Sequence, residues 1–114
     1  LRSIAAVWDV KAMPLDNDSV LTTYMLNTTD TTAWLFAFPK ESPHHMRVTN
    51  RKGDTLVVEA GPFESSIRTG VQTNTTSRMW FDDNMRMQGT VEAHYQVTGP
   101  DSVRSFRIEG TRRQ

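Results

Sequence analysis

Glu92 and His94 stand two residues apart in a run of alternating polarity, so they share one face. On a strand that spacing lets a carboxylate orient an imidazole, the pairing a general base uses. A nucleophile would have to complete it, and no serine sits in the strained elbow context that nucleophilic hydrolases use. His44 and His45 are adjacent, with Glu41 the acidic residue near them. Neighbouring side chains on a loop point apart, which makes a poor chelate. Asp82, Asp83 and Asp101 suit turn geometry and lack the spacing of a calcium loop. There is no cysteine, which removes thiolate catalysis, thiolate metal sites and disulfides. No glycine-rich phosphate cradle is present. The sequence therefore predicts no catalytic residue, no metal site and no cofactor, and a protein that is not an enzyme.

The element that would position these residues is a long hairpin from Val71 to Val97. Met87, Gly89, Val91, Ala93, Tyr95 and Val97 alternate with Gln88, Thr90, Glu92, His94 and Gln96. A period of two over that length is a strand with one face buried and one wet. Asp82, Asp83 and Asn84 tolerate the backbone angles of a reversal. Upstream, Ile4 to Met13 reads as a first strand with Trp8 inward, closed by Pro14. Ser19 to Asn27 is a second, with both faces apolar enough to leave the buried one open. Trp34 to Phe38 is a short third, and Met46 and Val48 mark a fourth beyond a proline-bounded loop. Gly53 supplies the positive φ of the turn into a fifth strand, Thr55 to Ala60. The segment from Gly61 to Gly70 reads as the longest irregular connection. Val103 to Thr111 is the last strand, after a turn carrying Pro100 and Asp101.

Eight strands joined by short turns, with no amphipathic helix, describe an all-β fold. Sequential antiparallel neighbours make an up-and-down meander. The long strands, with Gly89 placed for a bend, favour a small closed or partly open barrel, which removes exposed edges. The chain has 114 residues, one domain over 1–114.

Some apolar residues fall on the wrong parity. Met79 and Phe81 share the parity of Val71, which puts Arg78 and Trp80 on the opposite face with Gln72, Asn74 and Thr76. Trp beside Arg on a wet strand is the composition of a contact patch. A bulge that shifted the register would make Trp80 core instead, and both readings stay open. Met85 and Met87 flank the turn, and methionine adapts to varied contacts. Phe63, Arg78, Trp80 and Met85 are the residues expected to dock on a partner. As an alternative, Trp34, Phe36 and Phe38 would line an internal site for a small apolar ligand, with Trp8, Tyr24 and Tyr95 filling much of the rest.

Charge excludes one class of partner. Lys plus Arg number 13 and Asp plus Glu number 13, so no basic face argues for nucleic acid. Arg104, Arg107, Arg112 and Arg113 crowd the C-terminal end, where a solvated strand and tail explain them. No apolar run approaches the ~20 residues of a membrane helix. The chain starts at Leu1 and not at Met, which a cleaved signal or a trimmed anchor would explain. Asn17, Asn27 and Asn74 head glycosylation-type triplets, and the Thr, Ser and Asn content suits an extracytoplasmic surface.

The second half carries a resemblance. GPFESSIRTGVQTNTTS and GTVEAHYQVTGPDSVRSFRIEGTR resemble the C-terminal part of small secreted lipocalin-like β-barrel domains of bacteria. The Gly-x-Trp signature of true lipocalins is not present around Trp8. More loosely, the chain resembles the membrane-extrinsic subunits of bacterial photosynthetic reaction-centre and light-harvesting assemblies. That resemblance implies a non-catalytic structural subunit, periplasmic or peripheral on a membrane, whose partners are the proteins of the assembly.

Overall fold

A computed structural model of the chain describes residues 4–30, 33–82 and 86–113. Eight strands run in order: β1 (Val7–Met13), β2 (Thr22–Asn27), β3 (Trp34–Ala37), β4 (His44–Lys52), β5 (Thr55–Glu64), β6 (Gln72–Phe81), β7 (Arg86–Tyr95) and β8 (Val103–Arg112). Each pairs antiparallel with its neighbour in sequence, and β1 pairs with β8 to close an up-and-down barrel. Closure pairs the first strand with the last, so neither is left as a sheet edge. A 3₁₀ turn, Pro100–Ser102, precedes β8.

The alternation expected for the long hairpin is the observed pattern. In β7, Met87, Gly89, Ala93 and Tyr95 are buried and Val91 partly so, while Gln88, Thr90, Glu92 and His94 are exposed. Gly53 has φ 60, the left-handed turn conformation that glycine adopts without a Cβ penalty, and joins β4 to β5. The open question in β2 is resolved by closure: Leu26 faces inward with 0% exposure, sharing its face with Tyr24.

Two strands differ from the sequence reading. β5 runs on through Gly61 and Pro62 to Glu64, with an irregularity in its pairing to β6 between Ala60 and Phe63. A proline inside the run hid this continuation, since a proline within a strand belongs at a bulge or an edge. The bulge carries Phe63 to the inner face. β4 begins at His44, so both histidines lie on a strand and not in a loop. His44 is half-buried and His45 exposed, as opposite faces require.

The interior is packed in two connected regions. Trp8, Leu26, Trp34, Leu56, Met79 and Met87 belong to the larger one, with Phe81 against them. Phe81 lies 4.9 Å from the Trp8 ring and 6.5 Å from Trp34. Tyr95, Phe106 and Ala93 form the smaller, toward the β1–β2 and β5–β6 connections, with Leu21, Ile67 and Val71. The Thr28 hydroxyl is buried beside Trp8. It donates to the Ile4 carbonyl, and it accepts from Ala6 N and from Trp8 Nε1, both of these at 3.2 Å. That serves the indole N–H, a group costly to bury unpaired.

Candidate functional site

The outer wall of β5–β7 is built by register. Trp80 pairs with Thr55 of β5 and Gln88 of β7, and Arg78 pairs with Val57 and Thr90. No shift interrupts the β6–β7 ladder, so the parity that sends Met79 and Phe81 inward sends Arg78 and Trp80 out. Trp80 is 40% exposed and Arg78 is exposed. The bulge that would have made Trp80 core is not there.

Of the four residues expected to dock together, these two share a face. Phe63 does not join them, because it is 7% exposed and faces the barrel interior. Its ring stands 5.1 Å from Phe36 and 5.2 Å from His44. Met85 lies outside the described residues, as do Asp83 and Asn84 of the turn. Met87 is fully buried and forms core.

Trp34, Phe36 and Phe38 share the inner face of the barrel, as expected, but they pack more than they line. Phe36 and Phe38 are perpendicular at 5.7 Å, and each lies 6.0 Å from Tyr24. Such edge-to-face contacts let rings fill space closely. What remains is an apolar cavity of about 80 Å³, bordered by Phe36, Phe38, Phe63, Val91, Tyr95 and Phe106. Trp34 does not border it. Burial pushes the Tyr24 phenol well above the ordinary tyrosine range.

A second concavity lies on the opposite side of the wall. It is a groove of about 730 Å³ across β7, β8, β1, β2 and the loop after β3, bordered by Lys11, Thr23, Ala37, Lys40, Arg86 and Gln88, among others. Sequence reasoning missed it. Its lining comes from five strands and the loop after β3, and the polar residues in it look like ordinary solvated positions in their own strands. Gln88 ties it to the tryptophan, since it pairs with Trp80 on one side and Glu109 on the other.

Glu92 and His94 do meet, Oε1 to Nε2 at 2.7 Å, and both side chains are about half exposed. An exposed pair of this kind contributes little to stability. Ser105 stands across the ladder from Glu92, whereas His94 faces Val103. A charge-relay arrangement instead places the imidazole between hydroxyl and carboxylate. His44 packs its ring on Phe36 and Phe63. Among the described residues no group of three or more His, Asp or Glu is placed to hold a metal. No helix among them is long and apolar enough to cross a membrane.

Compared with known proteins, the chain matches no family model, no curated protein and no solved structure.

Proposed function

We propose that this chain is a non-enzymatic barrel that docks on a protein partner, as a scaffold subunit working outside the cytoplasm. The observation that carries the reading is Trp80: a large apolar ring held 40% exposed beside Arg78 on an uninterrupted ladder. Trp and Arg are the residues most enriched where a few side chains supply most of the binding energy. The membrane-extrinsic setting comes from the sequence resemblance, and a photosynthetic reaction-centre assembly is the specific instance it names.

The experiment compares Trp80→Ala with the native chain in its own complex. Thermal melting stays the same, and association weakens by about 2 kcal/mol or more, close to a thirtyfold rise in Kd. A variant that unfolds with no separate effect on association sinks the reading. So does a native protein that purifies alone from gently solubilised membranes and from the soluble fraction alike.

A second reading is a lipocalin-like carrier of a small apolar ligand. The apolar lining of the inner cavity supports it. The volume of about 80 Å³ opposes it, because drug-sized ligands occupy clefts of about 300 Å³ or more.

A further inference from the structure

We propose that the groove on the outer wall receives an extended, acidic segment of a partner protein. This rests on the docking reading and names the chemistry of what docks.

Size is the first argument. The groove crosses β7, β8, β1, β2 and β3. Four inter-strand steps of about 4.8 Å make a trough roughly 19 Å long. At about 3.3 Å per residue an extended chain of roughly six residues spans it. A volume of about 730 Å³ suits a chain of that length and is large for a single bound ion.

Charge is the second. Lys11, Lys40 and Arg86 border the groove, are exposed, and have no ion-pair partner among the described residues. The acids beside them are mostly committed: Arg113 holds Asp9 and Arg107 holds Glu109. Glu41 alone of the bordering carboxylates is left without such a partner among the described residues. Lys11 stands opposite Glu109 in the β1–β8 ladder, but Glu109 already holds Arg107, so the rim stays more basic than acidic and selects an acidic chain over a basic one.

The β2–β3 ladder stops at Met25 and Ala37, so Thr22, Thr23 and Tyr24 pair with β1 and not with β3. That leaves a short length of β2 flank without a β3 partner at the place where the segment crosses. Lys40, just past β3, holds φ 63, a left-handed conformation that residues carrying a Cβ rarely adopt. A glycine would sit there without strain but would bring no charge to the rim.

The test uses blocked six-residue peptides, one alternating Glu and Val, the other with Lys in place of Glu. Titrated into the isotope-labelled domain, the acidic peptide shifts the amides of Thr23, Ala37, Lys40, Arg86 and Gln88, and the basic one does not. Lys11→Ser combined with Arg86→Ser raises the acidic peptide's Kd about fivefold or more. Lys40→Gly weakens binding while melting at the same temperature or higher. Equal binding of the two peptides, shifts elsewhere on the barrel, or none at millimolar peptide overturns the proposal. The two readings fail separately. Trp80→Ala with undiminished association in the native complex removes the docking role of Trp80 and leaves the peptide result standing.

Discussion

Gly89 lies against the backbone of Arg78 so closely that a Cβ on it would stand 2.2 Å from the Arg78 carbonyl oxygen. Gly89 is the ladder partner of Met79, midway between Arg78 and Trp80. The tight approach of β7 to β6 thus sits under the outward pair. The atom in the way is main chain and cannot rotate aside. Gly89→Ala is expected to destabilise the barrel by about 3 kcal/mol, at the upper end of overpacking costs. A urea midpoint that falls at constant slope would show it; an unchanged midpoint would mean the strands separate easily.

Phe63 and Trp80 make opposite predictions. Phe63 packs among Phe36, Phe38 and His44, so Phe63→Ala should cost about 3 to 5 kcal/mol of stability. Trp80→Ala should cost a small fraction of that. Parallel denaturation curves separate them, and equal losses would show that Trp80 is structural.

Thr28→Val keeps the side-chain shape and removes the hydroxyl. Ala6 N then loses its acceptor, and Trp8 Nε1 keeps Ile4 O at 3.2 Å. One buried donor left unpaired costs about 1 to 3 kcal/mol. The loss should appear in the melting temperature, with the Trp8 indole N–H resonance shifted before unfolding begins.

Tyr24 gives the pH dependence. Burial raises its folded pKa above the ordinary 10.0. The folded state therefore holds the phenol proton longer than the unfolded chain does. The contribution is fully present below pH 10 and is lost as pH rises from there toward the folded pKa. Stability measured between pH 8 and pH 11 should fall more steeply in the native chain than in Tyr24→Phe. Identical alkaline profiles would place the phenol in contact with water.

Alternation was enough to read an antiparallel meander, and the long strands with Gly89 pointed to a closed or partly open barrel. Period two in Met87–Val97, the Gly53 turn and the short connections required antiparallel neighbours with one wet face, because water enforces that sorting strand by strand. Parity also placed Arg78 and Trp80 on one face. It could not decide whether a bulge intervened, since a bulge is a property of two paired strands. The same limit hid Phe63, where a bulge beside Pro62 carries the ring inside. It also hid the groove, whose lining is gathered only because β1 closes on β8 and sets Lys11 opposite Glu109, which pairs with Gln88 on its other side. Local polarity belongs to a residue and its near neighbours, and the sequence alone determined it. Which strands lie side by side, and hence which charges are left without a partner, depends on ring closure between segments far apart in the chain, and only the tertiary structure decided that.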